Sequence, residues 1–358
     1  MKSLIVKILL TLNTLIIIAM LMTGFAYVLD PRTWSYLAIA GYAFPFFSLA
    51  NVAFTVVWAV VRKRCLLLPF VGFVACYVPM NKFFPLNLGK DAPEGSLKVM
   101  TFNTEQLGAK WEYTNDENVQ VRRNMLKYIA DSDCDVVCLQ EVCVNKWVTM
   151  DIDSIIRPAM PYIEAKEWCG NKMMILSKHP ITKCERIAYE SEGNFTYAFY
   201  LDVEGRELIV VNNHLETNHF SVEEKANIGR MVKGGMEREE MHEKSRFVLR
   251  KLVDAATIRA PQADAVATFI SIHAGRRMIV CGDFNDIPLS YANSTIAGNL
   301  TDCYTATANG PGFTYNKNGM FVRIDNIMCS PEFTPYACHV DKTCTDSDHY
   351  PMISWIKE

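Results

Sequence analysis

Three long apolar stretches occupy most of the first 90 residues. The first runs from Ile8 to Leu29, and the second runs from Trp34 to Val61 with an expected kink at Pro45. Both are long enough for a helix to cross a bilayer core of about 30 Å, which takes about 20 residues. The third, from Cys65 to Met80, is short for a crossing. We therefore predict that residues 1–90 form a membrane anchor with about three transmembrane helices.

Basic residues around these stretches predict the orientation of the anchor. Lys2 and Lys7 precede the first stretch, and Arg62, Lys63 and Arg64 separate the second from the third. Because Lys and Arg accumulate on the cytoplasmic side, the N-terminus is expected in the cytoplasm. Three spans in the cytoplasmic (inner) membrane then place the rest of the chain outside the cytoplasm, whereas two spans reverse that side. A cleaved signal peptide is the competing interpretation of the first stretch, which two further apolar stretches make weaker.

Short apolar runs alternate with helical patterns in the remaining segment, residues 91–358. Compact apolar runs predict strands at 97–102, 135–141, 172–176, 198–203, 208–213, 278–281 and 323–329. Helical spacing covers 118–130 and 245–273, and the second helix is expected to break at Pro261. Residues 221–244, rich in Glu, Lys and Met, are expected to form a mobile insertion. The alternation predicts an α/β fold with more than one sheet.

Charge divides the chain at the same place as hydropathy. Residues 1–90 carry eight basic residues and one acidic residue, whereas residues 91–358 carry 28 basic and 38 acidic residues, a net charge of −10. This acidic balance weighs against a protein that holds nucleic acid through general positive charge. Of the ten cysteines in the acidic part, Cys338 and Cys344 are one candidate disulfide, and several others are expected to pack as small hydrophobes.

Polar side chains suited to phosphate chemistry follow most of the predicted strands. They are Asn103, Glu105, Glu141, His214, Asp283, Asn285, Asp325, Asp348 and His349. Carboxylate and amide oxygens are the ligands that Mg²⁺ prefers, and imidazoles can stabilise charge that develops on a phosphoryl group. Each residue alone has a simpler interpretation as a solvated loop or turn residue. The prediction of a metal-dependent site rests on the set and on its order along the chain.

Seven short motifs carry these residues. They are TFNTE (101–105), LQEV (139–142), NNHLET (212–217), GDFNDIP (282–288), GFTYN (312–316), RIDNIM (323–328) and SDHYP (347–351). With these motifs in this order, the chain resembles the endonuclease/exonuclease/phosphatase superfamily, which contains DNase I-like nucleases, neutral sphingomyelinases and inositol polyphosphate 5-phosphatases. The resemblance implies a catalytic domain over residues 91–358 with a four-layer α/β sandwich, in which two packed mixed sheets are flanked by helices.

The resemblance also implies a metal site. Glu141 would be the main ligand of a Mg²⁺ ion, with Mn²⁺ as an alternative metal. Asn103 and Glu105 would lie beside Glu141, and Asp348 would contribute to the metal or water site. Glu105 is the weakest of these assignments, because many members of the superfamily carry another residue at that position.

A catalytic group is implied in the same way. Asp283 would orient or deprotonate the attacking water, and Asn285 would hold a phosphate oxygen. His214 and His349 would hydrogen-bond the phosphoryl oxygens in the transition state. Asp325 would fix the tautomer of His349 from behind.

We expect these residues to hydrolyse a phosphoester at a membrane-tethered site. A lipid head group or another small phosphoester is favoured as the substrate, because such a substrate explains why the spans hold the domain at a bilayer. The alternative is a metal-dependent endonuclease or exonuclease, which needs a local basic patch. A further alternative is a phosphate-binding module without turnover. The Met-bearing insertion is expected to be a disordered loop, with a lipid-contacting lid as the alternative; the oligomeric state is not predicted.

Overall fold

The computed structural model describes residues 2–108, 114–315, 317 and 319–358. Its helices are α1 (Lys2–Gly24), α2 (Ser35–Ala38), α3 (Phe44–Val61), α4 (Leu67–Ala75), α5 (Tyr77–Phe83), α6 (Asp116–Asp131), α7 (Lys146–Ile155), α8 (Val222–Val232), α9 (Arg238–Ile272), α10 (Tyr291–Ala297) and α11 (Cys303–Thr307). Its strands are β1 (Leu97–Asn103), β2 (Val136–Gln140), β3 (Tyr162–Trp168), β4 (Asn171–Ser177), β5 (Ile181–Ile187), β6 (Phe195–Val203), β7 (Arg206–His214), β8 (Met278–Asp283), β9 (Thr301–Asp302), β10 (Asp325–Cys329), β11 (Thr334–Val340) and β12 (Met352–Lys357).

Helices α1 to α5, which we call the anchor bundle, form the N-terminal part. Two helical segments, Leu4–Val28 and Ser35–Val61, are long and apolar enough to cross a membrane. The pair Lys63–Ala75 and Tyr77–Phe83 is bent by 66° and makes a third crossing only if both helices belong to one span. The kink expected at Pro45 is not found. Pro45 lies in the first turn of α3, where a proline fits because no backbone N–H is needed.

Buried polar side chains join the helices of the anchor bundle to one another. Asn13 Nδ2 donates a hydrogen bond to Asn51 Oδ1 at 3.0 Å, and Trp58 Nε1 donates to Asn13 Oδ1 at 2.9 Å. Asn51 Nδ2 in turn donates to the backbone oxygen of Pro69 on α4 at 3.0 Å. Because an unpaired polar group in apolar surroundings is costly, these bonds favour one packing register of α1, α3 and α4.

The rest of the described chain contains two six-stranded mixed sheets. Sheet 1 has the order β11-β12-β1-β2-β4-β3, and sheet 2 has the order β5-β6-β7-β8-β10-β9. The pairs β1–β2 and β7–β8 are parallel, and the other neighbours are antiparallel. Each parallel pair directs two carboxyl-terminal strand ends to the same edge of its sheet.

Three hydrophobic clusters separate four layers: two sheets in the middle and helices on either side. We call this part of the chain the sandwich domain. Val99 and Ile175 of sheet 1 meet Phe199 and Ile279 of sheet 2 between the sheets. Helices α6 and α7 cover the outer face of sheet 1, and α9 and α10 cover the outer face of sheet 2. This is the expected four-layer α/β sandwich of two mixed sheets flanked by helices.

Helices α8 and α9 correct two expectations. Helix α9 continues through Pro261, whose neighbours Ala260 and Ala263 are fully buried. Packing against sheet 2 therefore outweighs the roughly 3 kcal/mol that an internal proline costs. The expected mobile insertion is also wrong, because Val222–Val232 forms a helix whose start is closed by reciprocal hydrogen bonds between Ser221 and Glu224.

The prediction of a disulfide between Cys338 and Cys344 is wrong as well, because all twelve cysteines are free. Cys338 packs in the cluster between the two sheets, whereas Cys344 packs in the cluster on the outer face of sheet 1. The sheet separates the two thiols. The pattern of burial supports the other expectation, that cysteines such as Cys138 and Cys281 serve as small core residues.

The anchor bundle packs directly against the sandwich domain. Met20 and Phe44 form one buried cluster with Ile287 and Leu289, which lie in the loop after β8. The Tyr42 hydroxyl donates a hydrogen bond to Asp286 Oδ1 at 3.2 Å in the same loop. The interface is thus apolar at its centre and polar beside the loop.

Gly41 allows the closest approach across this interface. A Cβ atom at this position would lie 2.4 Å from the backbone oxygen of Leu289. We therefore expect Gly41→Ala to force the two parts apart and to lower the free energy of unfolding by about 1–3 kcal/mol, as overpacking does. Thermal denaturation of the full chain in detergent measures this loss. Gly89→Ala is the matched control, since nothing lies within 4 Å of a Cβ there, and equal melting temperatures for the two variants would contradict the close contact.

Candidate active site

Strands from both sheets deliver polar residues to one edge of the sandwich. Asn103 ends β1 and Glu141 directly follows β2, while His214 ends β7 and Asp283 ends β8. Within sheet 2, Asp283 is the register partner of His214 on β7 and of Asp325 on the antiparallel strand β10. Because the parallel pairs of the two sheets both end at this edge, residues far apart in sequence converge there.

Asp283 lies at the centre of the resulting cluster. Asn103 Nδ2 donates hydrogen bonds to Asp283 Oδ2 and to Glu141 Oε1, both at 3.0 Å. His214 Nε2 lies 3.9 Å from Asp283 Oδ2 and 3.5 Å from Glu141 Oε1. On the other side, His349 Nε2 lies 3.8 Å from the same Asp283 oxygen. One carboxylate oxygen thus faces two imidazoles and an amide.

His349 is held from behind by Asp325. Its Nδ1 lies 2.8 Å from Asp325 Oδ2, and both side chains are buried. With Asp325 ionised, Nδ1 would be the donor and Nε2 would face the cluster, which is the geometry that the predicted tautomer control requires. Thr314 Oγ1 accepts the backbone N–H groups of Ile324 and Asp325, so it fixes the start of β10.

Burial and neighbouring charges shift the pKa values of these groups in opposite directions. Burial raises the pKa of Asp283 to about 6. Burial alone would lower the pKa of His349, but the negative charges of Asp325 and Asp283 outweigh it and raise that pKa well above its usual value. Burial would raise the pKa of Glu141, yet the charge of His214 and the hydrogen bond from Asn103 lower it overall. These directions favour an ionised Glu141 beside a protonated His349.

Three site residues adopt the left-handed backbone region that non-glycine residues rarely use. They are Glu105, Glu141 and Asn285, with φ angles of 44°, 49° and 52°. The carbonyl oxygen of Glu141 accepts hydrogen bonds from Thr104 Oγ1 and from the backbone of Gln106, both at 2.8 Å. Backbone strain of this kind persists only where surrounding contacts enforce it, and it is common at functional sites.

Gly282 is required by the close approach of β7 and β8. Its φ angle is +128°, and a Cβ atom there would lie 2.0 Å from the backbone oxygen of Asn213. Only glycine fits such a contact. The glycine of the GDFN sequence therefore lets Asp283 and His214 end side by side.

Buried polar atoms without partners mark the space where a ligand fits. Among the described residues, His214 Nε2, Asp325 Oδ1 and the Tyr315 hydroxyl are buried and meet no hydrogen-bond partner. Since buried polar groups are nearly always paired, three such atoms around one cluster indicate bound groups that complete it.

The donor set also fits a hard divalent cation. Ligand atoms of Asp283, Asp325 and His349 lie within 4.8 Å of one another. Two of these three residues already pair with each other, whereas the carboxylate of Glu141 is 33% exposed and open to solvent. Glu141 is thus more accessible to a cation than the buried Asp283 and Asp325.

The other predicted ligands lie around this pair. Asn103 turns its amide nitrogen toward both carboxylates, so it acts as a hydrogen-bond donor in this arrangement. Asp348 Oδ1 lies 4.0 Å from His349 Nε2. The Glu105 backbone N–H donates to Asn103 Oδ1 at 3.2 Å. Asn285 Nδ2 donates to the backbone oxygen of Leu215, which fixes its side chain beside the cluster.

Several residues that support the site were not singled out from the sequence. Ser347 Oγ donates to the backbone oxygen of Asn103 at 2.8 Å, and Tyr315 packs edge-on against His349. Both belong to the quoted motifs, which were a signal for them; Asn316, in the same motif as Tyr315, lies outside the described residues. Lys225 pairs with Asp348 at 3.7 Å, and no sequence signal pointed to it.

Comparison with models of protein families identifies the family of this chain. The model described as the Endonuclease/Exonuclease/phosphatase family matches residues 100–349. The chain belongs to this family. Family members are metal-dependent hydrolases of phosphoesters, and the chain is an enzyme of that class. A second model, a domain of unknown function named DUF8431, matches residues 6–83 in the anchor bundle. A search of curated protein sequences gave no significant match.

Solved structures of family members share the fold. TDP2 of D. rerio in complex with a single-strand DNA product is 14% identical, with 74% of this chain and 100% of that chain covered and a TM-score of 0.53. The human Nocturnin catalytic domain with a bound sulfate anion is 15% identical, with coverages of 75% and 96% and a TM-score of 0.51. A family protein from Leptotrichia buccalis is 14% identical, with coverages of 73% and 100% and a TM-score of 0.50.

We expect a divalent cation to stabilise the site by neutralising its carboxylates. Mg²⁺ at about 100 times its Kd should raise the free energy of unfolding by about 2–3 kcal/mol, and EDTA should reverse the effect. Glu141→Gln should remove most of this gain, as measured by the melting temperature with and without metal. Glu94→Gln, an exposed carboxylate just before β1, is the control. If Glu141→Gln kept the full metal-dependent gain, Glu141 would not be a ligand.

Proposed function

We propose that this protein is a membrane-anchored phosphoesterase that uses Mg²⁺, with Mn²⁺ as the alternative, to hydrolyse a lipid head-group phosphoester or another small phosphoester at the bilayer surface. The observation that carries the proposal is the cluster around Asp283, in which carboxylates and imidazoles from both sheets meet. Asn103, Glu105, Glu141 and Asp348 are its proposed metal-site residues.

The residues of the cluster support a division of roles. A bound divalent cation would polarise a phosphoryl oxygen and neutralise charge there. Asp283, whose pKa is raised by burial, orients the attacking water and accepts its proton. His349 is kept protonated by Asp325 and donates to a phosphoryl oxygen. His214 Nε2, which lacks a partner among the described residues, hydrogen-bonds a second phosphoryl oxygen, and Asn285 lies beside it for a further contact.

The arrangement of the anchor bundle supports three crossings and a site outside the cytoplasm. The contacts of the bundle with the sandwich domain include Met20, near the end of α1, and Phe44, at the start of α3. The basic residues at the start of α1 and after α3 lie at the opposite end of these helices. Helices α4 and α5 bring the chain back, since Cys76 and Phe83 join the same cluster as Met20. With the basic end in the cytoplasm, the sandwich domain lies on the other side of the cytoplasmic membrane.

The position of the catalytic loops supports a substrate at the membrane. Ile287 and Leu289 pack on the anchor bundle, two and four residues after Asn285. Val322, three residues before Asp325, joins the same cluster. The site is therefore next to the helices that would lie in the bilayer, where lipid phosphoesters are concentrated. The net charge of −10 in residues 91–358 offers no general attraction for nucleic acid.

We expect Asp283→Asn and His349→Ala to lower kcat about 100-fold or more, because each removes a group that handles a proton or developing charge. The assay is hydrolysis of bis-p-nitrophenyl phosphate by the full chain in detergent, with Mg²⁺ and with EDTA. His339→Ala is the control, since this histidine is exposed on β11. Equal rates for the wild type and both site variants would refute the catalytic assignment.

A competition between substrates separates the lipid from the nucleic-acid proposal. In vesicles that carry a labelled phospholipid or sphingomyelin, we expect the wild type to release a water-soluble head-group product and Asp283→Asn to release none. Plasmid DNA and a single-stranded oligonucleotide are offered under the same conditions. Cleavage of the nucleic acids without head-group release would favour a nuclease. Metal-dependent stabilisation without turnover on any of these substrates would favour a phosphate-binding module.

A further inference from the structure

Helix α8 carries a lysine into the candidate active site. Lys225 Nζ lies 3.7 Å from Asp348 Oδ2 and 5.4 Å from the centre of the Tyr315 ring. The positive charge of Lys225 also contributes to the lowered pKa of Glu141. This ammonium group therefore lies close to several of the site's carboxylates, although α8 belongs to no motif that marks the family.

The ion pair with Asp348 does not explain this placement. A direct hydrogen-bonded ion pair has a distance of about 2.7–3.2 Å, so at 3.7 Å the ammonium makes no direct hydrogen bond to Asp348. The start of α8 is already held by Lys251 of α9, which donates to the backbone oxygen of His219 at 2.7 Å and to Glu224 Oε2 at 2.6 Å. The fold thus does not need Lys225 to keep α8 in place.

Tyr315 brings a phenol hydroxyl close to the lysine. Its hydroxyl is buried and meets no hydrogen-bond partner among the described residues. Its ring packs edge-on against His349 at a centroid distance of 5.3 Å. The phenol therefore lies between Lys225 and the histidine that faces Asp283.

We propose that Lys225 and Tyr315 form a subsite for the phosphate group of the substrate, in which the ammonium and the phenol hydroxyl contact its non-bridging oxygens. This inference rests on the proposed phosphoesterase function. The charge balance favours it, since Glu141, Asp283, Asp325 and Asp348 would otherwise repel an anionic phosphoester. A fixed lysine lowers that repulsion when the substrate binds, and it does so apart from the metal.

The test compares three lysine variants of the full chain in detergent. Lys225→Gln keeps most of the length and removes the charge, Lys225→Arg keeps the charge, and Lys233→Gln alters an exposed lysine just past the other end of α8. We expect Lys225→Gln to raise KM for bis-p-nitrophenyl phosphate and the inhibition constant of inorganic phosphate about tenfold, with a much smaller change in kcat. Lys225→Arg should bring both constants part of the way back to the wild-type values. Tyr315→Phe should also raise KM and the phosphate inhibition constant.

Melting temperatures distinguish binding from a structural role. With Mg²⁺ present, inorganic phosphate should raise the melting temperature of the wild type and of Lys233→Gln, and this shift should be lost in Lys225→Gln. An unchanged phosphate inhibition constant in Lys225→Gln, or an equal rise in Lys233→Gln, would overturn the subsite. Absence of turnover in the wild type would count against the proposed function alone. The phosphate-dependent shift would then decide the subsite, which is supported if Lys225→Gln loses it and overturned if it stays.

Discussion

The crowding of carboxylates at the end of the sandwich is the constraint on which the rest of the site depends. Glu141, Asp283, Asp325 and Asp348 lie in one cluster, and Asp283 is almost fully buried. Like charges at such distances repel each other strongly where water is excluded. The fold offsets this cost with the two imidazoles, the amide of Asn103 and the ammonium of Lys225. Enzymes of this family use divalent metal ions, and a bound divalent cation would complete the balance.

Such a cluster can persist only on a rigid support. Beneath it, Gln140 Nε2 donates to Asn212 Oδ1 at 2.7 Å, and this buried hydrogen bond ties β2 of sheet 1 to β7 of sheet 2. Glu141, which follows β2, and His214, which ends β7, are therefore held in a common register. The left-handed backbone at Glu141 is stabilised by hydrogen bonds to its carbonyl oxygen. The surrounding hydrogen bonds thus offset the backbone strain that the geometry of the site requires.

The fold was predictable from the sequence at most of the strands that are buried on both faces, although β12, which lies between β11 and β1, was missed. The central strands β1, β2, β7 and β8 give uninterrupted apolar runs, and their predicted bounds fall within a few residues of the observed ones. The edge strands β3 and β5 were missed because charged residues alternate along their exposed faces. Helix α8 was taken for a mobile segment, since the capping hydrogen bonds of Ser221 and Glu224 and the contact from Lys251 do not show in a pattern of apolar residues.

The same contrast separates the parts of the site. The residues at strand ends could be predicted because they follow apolar runs in a recognisable order. Lys225 could not be predicted, because its position depends on how the loop after β7 is held against α9, and that contact joins distant parts of the chain. Local pattern thus indicates which residues a strand delivers to its end, whereas tertiary packing decides which side chains join them from outside the strands.

The contact between the anchor bundle and the loop after β8 connects the proposed membrane anchor to the geometry of the site. Asp286 accepts a hydrogen bond from Tyr42 of the bundle on one oxygen and pairs with Arg259 of α9 on the other, at 3.1 Å. Asp283 and Asn285 precede it in the same short segment. A shift of the bundle would therefore act on the residues that are proposed to hold water and phosphate. Since the bundle's orientation in a bilayer is set by its apolar surface, the direction in which the site faces a lipid would be set by the same surface.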